Sequence, residues 1–393
     1  WARRRAGAHG ADIPESMGRL RVAADETTGL PLLLLPEAFR YRTLSWAGAA
    51  LHDGHAVPGA ADGMGVVRQQ GSRVTLVRNH ELQGSSGAMG DPALAYDNTP
   101  GGTTTLVFDT ASETLADSWV SLGGTLYNCA GGVTPWGTWL SCEEATLSPA
   151  LLHLPTPKKH AWWDVDRARR EHGYVFEVPA EGVAKPEPIL AMGQFYHEAV
   201  AFDPDTGIAY MTEDNGPNAG FYRFLPDQPG RLQAGGRLQM MKVDLRPDMS
   251  DYLILGQEMD VGWVDIPEPT QGFTAGNRNG DGVVSQGLAA GGSRFIALEG
   301  CTYSEGKVYF TSKLGGRAIS GYVLAYEPAR EKIWMVYESP GHDQFSGPDN
   351  LVVSPRGSLV ICEDRLTTAK AGQMVCGLTQ KGEFFRFCQV NPA

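Results

Sequence analysis

Glu198-Ala-Val-Ala-Phe202, then the turn Asp203-Pro-Asp-Thr-Gly207, then Ile208-Ala-Tyr-Met-Thr212 running into Glu213-Asp214-Asn215, is the stretch that decides the fold. Two short apolar runs flank a Pro/Asp/Gly turn, the pattern of a tight β-hairpin. A hairpin returns its last residue to the end where its first began. The acid that opens this unit and the acids that close it therefore meet in space.

Four other segments repeat the arrangement. One opens at Asp349-Asn350, turns at Ser354-Pro-Arg-Gly357 and closes at Glu363-Asp364. Another runs from Asn128 through Thr134-Pro135-Trp136-Gly137 to Ser141-Cys142-Glu143-Glu144. A third runs from Glu299 through Glu305-Gly306 to Thr311-Ser312-Lys313, and the earliest from Asp62-Gly63-Met64 to Arg78-Asn79-His80-Glu81. Hairpins repeated in this way and stacked radially form a β-propeller, an all-β fold whose strand ends converge on one axis. The openings at Asp62, Asn128, Glu198, Glu299 and Asn350 are spaced 66, 70, 101 and 51 residues apart. With a blade period of roughly 40–50 residues plus insertions, this spacing predicts six blades, one hidden in the longest interval. Carboxylates gathered at one place repel strongly unless cations neutralise them. The pattern therefore predicts a multi-metal centre on the axis.

Composition narrows the alternatives. The chain has 393 residues, 42% of them hydrophobic, enough for a large core. Forty-five acidic against 33 basic residues leave a formal charge of −12, and no stretch concentrates basic residues. Nucleic acid is thereby excluded as a partner, since backbone binding needs such a surface. The 49 glycines and 25 prolines suit many short strands joined by tight turns. No apolar run approaches the roughly 18 residues of a membrane span, so no stable membrane insertion is expected. Six cysteines in a chain of this length do not make a disulfide scaffold, although Cys376 and Cys388 are spaced to pair across a final hairpin. Arg3-Arg4-Arg5 has no apolar segment behind it and reads as a solvated basic arm, on a chain that fits the processed form of an exported protein. Residues 1–45 read as an N-terminal arm and 46–393 as a single propeller domain. Insertions are expected near 146–172, with a short helix around Asp166–Glu171, and near 226–292, with strands around Gly236–Val243. Neither a G-x-S-x-G elbow, an H-E-x-x-H pair nor a phosphate loop occurs.

The clusters suggest the metals. Cys142-Glu143-Glu144 sets one soft sulfur among hard carboxylates; zinc sites add histidine or more cysteine, and calcium sites exclude sulfur. Such a set suits ferric iron or a mixed site. Cys362-Glu363-Asp364 repeats the pattern, so the residues alone do not choose the sulfur ligand. Glu198, Glu213, Asp214 and Asn215 bring the several oxygen donors that calcium requires. His80 and His197 each precede a glutamate and are expected to support the ligands rather than bind metal. Asn277-Arg-Asn-Gly-Asp281-Gly282 lacks the closing acid of a calcium loop and reads as a turn.

Taken together, the motifs resemble the PhoX-type alkaline phosphatases, calcium-dependent β-propeller enzymes often exported by the twin-arginine route. The matching residues are Asp53-Gly54 with Val57-Pro58-Gly59, Asp62-Gly63-Met64, Arg78-Asn79-His80-Glu81, Gly137-Thr138-Trp139-Leu140-Ser141-Cys142-Glu143-Glu144, His197-Glu198-Ala199, Thr212-Glu213-Asp214, Glu299-Gly300 and Pro348-Asp349-Asn350-Leu351. The resemblance implies a periplasmic or secreted monomer that hydrolyses phosphate monoesters at a centre of calcium and oxo-bridged ferric iron. Cys142, Glu198 and Glu299 are expected to bind iron and to be catalytic. Glu81, Glu143, Glu144, Glu213, Asp214, Asp349, Asn350, Glu363 and Asp364 are expected around calcium. The family's Arg-Pro-Glu is here Ala297-Leu298-Glu299, and the strand that follows ends in Thr311-Ser312-Lys313 rather than paired asparagines. Lys313, Arg294 and Arg365 are the candidates to replace the missing phosphate-binding arginine. Two other readings stand beside this one: a calcium-propeller hydrolase of lactonase type, and a non-catalytic, calcium-stabilised binding propeller.

Overall fold

A computed structural model describes residues 18–84, 86–154, 168–342, 344–365 and 372–392. Arg3–Arg5, residues 155–167 of the 146–172 insertion and with them the first part of its expected helix lie outside the described residues; 168–172 are not helical.

The strands follow one another as antiparallel meanders. Two short strands, β1 (Arg21–Ala23) and β2 (Leu33–Leu35), come first. The first meander is β3 (Ala61–Gln70), β4 (Arg73–His80), β5 (Gly101–Asp109) and β6 (Thr114–Thr125). The second is β7 (Asn128–Val133), β8 (Trp139–Glu143) and β9 (Val175–Val178). In the third, β10 (His197–Phe202), β11 (Ala209–Glu213), β12 (Phe221–Pro226) and β13 (Gly236–Val243) are extended by β14 (Met259–Asp265). Helix α1 (Gly282–Ala289) precedes the fourth meander, β15 (Leu298–Ser304), β16 (Lys307–Ser312), β17 (Tyr322–Glu327) and β18 (Lys332–Glu338). The fifth is β19 (Pro348–Val353), β20 (Leu359–Glu363), β21 (Met374–Leu378) and β22 (Phe384–Val390), with β2 and β1 added outside β22.

The propeller expected from the hairpins is therefore present, but the described residues form five meanders rather than six. The 101-residue interval holds one enlarged unit: β14 continues the third meander and pairs with β18 of the fourth, joining the two into a nine-stranded sheet. Spacing alone cannot separate an extra blade from an extra edge strand. The strand expected at Gly236–Val243 is β13, and β2 of the N-terminal arm pairs with β22 at the outside of the fifth meander.

Strands inside a propeller are apolar on both faces, because each face meets a different neighbour. Ala199, Ala201, Tyr210 and Phe221 pack toward the fourth meander, against Phe295, Phe310 and Tyr326. The alternate residues Val200, Phe202, Met211 and Tyr222 pack toward the second, against Leu140 and Val175. Phe221 stacks on Phe310 with ring centroids 4.1 Å apart. Similar layers bind the first meander to the second and the fourth to the fifth. No disulfide forms among the described residues; Cys376 and Cys388 are both free thiols.

Candidate metal centre

The five first strands, β3, β7, β10, β15 and β19, carry the same irregularity at the same place. Ala61 pairs with His80, Asn128 with Glu143, His197 with Glu213, Leu298 with Ser312, and Pro348 with Glu363. Immediately afterwards each first strand bulges, setting two residues against one on its partner. The first bulge residues are Asp62, Cys129, Glu198, Glu299 and Asp349. The second are Gly63, Ala130, Ala199, Gly300 and Asn350, mostly small because adjacent bulges touch. A Cβ on Gly63 would lie 2.6 Å from Ala130 Cα, and one on Gly300 2.6 Å from Asn350 Cα.

A bulge re-aims side chains, and here it brings the five first bulge residues together. One oxygen or sulfur from each of Asp62, Glu81 and Cys129 lies within 4.8 Å of the others. The same holds for Cys129, Glu144 and Glu198, and for Glu198, Glu299 and Asp349. The three groups are chained through Cys129 and Glu198. Cys129 Sγ is 3.3 Å from Glu198 Oε1 and 3.6 Å from Asp62 Oδ2.

The returning strands obey the alternation of a pleat. Residues just past their ends, Glu81, Glu144, Asp214, Lys313 and Asp364, fall on the axial side, among the first bulge residues. The residues one earlier point away and fasten loops. His80 bonds Gly59 O at 2.8 Å, Glu143 Oε1 accepts from Leu126 N at 2.8 Å, Ser312 Oγ donates to Ile296 O at 2.6 Å and Glu363 Oε1 accepts from Ser346 N at 2.9 Å. Each of those loop residues lies two positions ahead of the first strand of its own meander. Glu213 instead holds Gly220 N and the Tyr222 hydroxyl, at 2.8 and 2.6 Å.

This geometry corrects several expectations. Glu143, Glu213 and Glu363 are saturated scaffold acceptors, not members of the three groups; Glu143 also takes bonds from Gly173 N, Tyr174 N and His172. Cys142 is the single residue opposite the Cys129–Ala130 bulge and packs in an apolar layer with Leu140, Val175 and Met211. The thiol among the acids is Cys129. Cys362 occupies the equivalent of Cys142 and is exposed. Asn350 is a second bulge residue whose Nδ2 bonds Asp349 Oδ1 at 3.2 Å. Arg294 is engaged with Asp248 and Pro217 O, and Arg365 Nε lies 2.7 Å from Glu363 Oε2, so neither is a free cation for phosphate. Lys313 does enter the centre, but as the ion-pair partner of Glu299, Asp349 and Asp364.

Of the residues expected at the centre, Glu81, Glu144, Glu198, Glu299 and Asp349 fall in the three groups. Sequence reasoning missed Asp62 as a ligand candidate, and Cys129. The missing signal was the offset: aligned on His197-Glu198 and Leu298-Glu299, the pair Asn128-Cys129 puts the thiol where the other units have an acid. Tyr127, whose hydroxyl bonds Glu81, was missed as well.

Electrostatics makes the assembly unfavourable without cations. Burial, then the charges of Glu81 and Asp349, push the Asp62 carboxyl up to about 8. Burial followed by Glu299 and Glu144 pushes Glu198 well above the usual carboxylate range, and burial followed by Asp214 does the same to Glu299. Burial and then Glu198 and Asp62 raise the Cys129 thiol. Buried Glu198 Oε2 and Glu299 Oε1 accept no hydrogen bond at all. Orphaned buried acceptors of this kind are costly, and the donor set fits hard cations with one thiolate contact.

Similarity to known proteins follows the same lines. The family model for alkaline phosphatase PhoX matches residues 100–392. This chain belongs to the alkaline phosphatase PhoX family. Among solved structures, it is similar to Pseudomonas fluorescens PhoX in complex with vanadate, a transition state analogue. That likeness has 18% identity over 95% of this chain and 89% of the other, with a TM-score of 0.65, and shows a shared fold. A gluconolactonase from Xanthomonas campestris gives 12% identity over 98% and 89% of the two chains, with a TM-score of 0.43. No curated protein sequence matches. Asp62 and Glu81 precede the matched PhoX residues, yet the fold sets them beside Cys129.

Proposed function

We propose that this PhoX-family chain is a metal-dependent hydrolase of phosphate monoesters whose centre is the ring of first bulge residues. The observation that carries the reading is the buried, unpartnered Oε2 of Glu198 within a chain of ligand groups. Calcium suits the carboxylates of Asp62, Glu81, Glu144 and Glu198, and iron suits the position where Cys129 adds sulfur. Bound cations supply Lewis acidity, polarising phosphate oxygens and offsetting the charge that develops as the ester bond breaks.

The chain's own residues do the rest. Glu198 stands between the Cys129 group and the Glu299 group and so ties neighbouring positions together. Tyr127 bonds Glu81 and orients it, and the same contact, after burial and the Glu144 charge, holds the phenol protonated. The apolar layer behind the bulges, with Cys142 in it, keeps water from the rear of the ligands.

Among the described residues no helix is long and apolar enough to cross a membrane, and family membership supports a periplasmic or secreted location. A thiol in an acid's position favours the phosphatase over a lactonase-type calcium propeller. Elemental analysis of purified protein, its visible spectrum and hydrolysis of p-nitrophenyl phosphate test the proposal. Calcium with iron, a thiolate charge-transfer band and turnover are expected. Tight calcium with neither band nor turnover would make the chain a binding propeller instead.

A further inference from the structure

Lys313 stands where the other four meanders place an acid. The register that aligns Ser312 with His80, Glu143, Glu213 and Glu363 aligns Lys313 with Glu81, Glu144, Asp214 and Asp364. Its side chain is 17% exposed, and its Nζ lies 2.5 Å from Asp364 Oδ2, 3.5 Å from Glu299 Oε1 and 3.6 Å from Asp349 Oδ2. Three carboxylates from two meanders thus surround one compact positive charge. Glu299 Oε1 faces that charge yet accepts no hydrogen bond, although Glu299 is 3% exposed. A point charge, rather than a directed hydrogen bond, is what neutralises this oxygen.

We infer that the Lys313 ammonium takes the place of one divalent cation, so that the sector between the fourth and fifth meanders binds no metal in this chain. The inference rests on the metal-centre reading above. An ammonium carries one positive charge to a divalent ion's two. Replacing Lys313 by an acid, as in the four equivalent positions, leaves four carboxylates and room for an ion. Replacing it by methionine removes the charge while keeping the stem.

The test compares wild type with Lys313→Asp and Lys313→Met. Each is passed into chelator-treated buffer, titrated with calcium chloride by equilibrium dialysis, and melted with and without calcium. Lys313→Asp is expected to bind one more equivalent of calcium than wild type and to gain more in Tm when calcium is added. Lys313→Met in chelator is expected to melt below wild type and to recover with calcium; if the acidic variant does not fold, this one decides. Equal stoichiometry with a metal-loaded wild type, or a chelated Lys313→Met as stable as wild type, overturns the inference and leaves the metal centre standing. A wild type that binds no metal sinks the metal centre, and Lys313→Asp then speaks for Lys313 alone: an ion gained supports the inference, none gained overturns it.

Discussion

Asn79 holds Cys129 in place from the neighbouring meander. Its Nδ2 donates to Cys129 O at 3.1 Å and to Ala130 O at 2.6 Å, while its Oδ1 accepts from Trp139 Nε1 and Ser141 Oγ, both at 2.9 Å. The same role recurs around the ring. Thr212 Oγ1 donates to Glu299 O at 2.5 Å and Thr311 Oγ1 to Asp349 O at 2.8 Å. In three of the five meanders the residue opposite one bulge thus fastens the bulge of the next, its side chain bonding the backbone carbonyls there.

Asn79→Ala should therefore harm both fold and centre. It leaves two carbonyls, an indole N–H and a hydroxyl buried without this partner, and each unsatisfied group costs about 1–3 kcal/mol. Urea unfolding of chelated protein should show a loss of at least ~2 kcal/mol. Metal affinity measured by dialysis should fall about 10–100-fold, the usual effect of removing a ligand's support. An unchanged midpoint and unchanged affinity would remove Asn79 from this role.

The two buried cysteines separate cleanly. Cys129→Ser should lose bound iron and the thiolate absorption band. Cys142→Ser should keep both, at a stability cost of about 1–3 kcal/mol for a hydroxyl placed in an apolar layer. Iron retained by Cys129→Ser and lost by Cys142→Ser would restore the ligand expected from the sequence.

Removing metal should make stability fall as pH rises. The Asp62 carboxyl is held near 8 in the folded protein against 3.8 ordinarily, so the unfolded chain releases this proton first. Between those values the folded state carries the penalty of either keeping the proton or charging beside Glu81 and Asp349. In chelator, Tm at pH 8 should lie below Tm at pH 5. Added calcium should raise Tm more at pH 8 than at pH 5, since it binds the deprotonated ligands. A flat Tm in chelator across this range would contradict the crowding.

His172 supplies a second pH effect that calcium should not remove. It is fully buried, with Nδ1 2.7 Å from Glu143 Oε1 and Nε2 3.3 Å from Asp97 Oδ2. Burial opposes its charge, but Glu143 and then Asp97 outweigh it and raise the imidazole from 6.5 to about 9. The stabilisation is complete below 6.5 and is lost as pH climbs through 9. In calcium, wild type should lose Tm across that window and His172→Gln should lose less. Parallel curves for the two proteins would refute the charged imidazole.

Much of this is legible in the sequence. Glu198 and Glu213-Asp214 flanking a Pro/Asp/Gly turn already implied that both ends of the hairpin meet, because antiparallel pairing leaves no other outcome. The openings at Asp62, Asn128, Glu198, Glu299 and Asn350 fall at the five first strands, each at or beside the residue that faces the axis. The count of blades was less legible, since β14 could as well have begun a blade as widened one.

The sequence by itself determined that five hairpins would bring acids to one axis, since turn chemistry and apolar runs are local properties. Only the tertiary structure decided which acids and which thiol face inward. Neighbouring residues of a strand point to opposite sides, so Glu143 and Glu144 have opposite fates, and one extra residue in a bulge reverses the phase. The close packing of each bulge against the next, Gly63 on Ala130 and Gly300 on Asn350, joins residues tens of positions apart. That packing put Cys129 among the carboxylates and left Cys142 in the core.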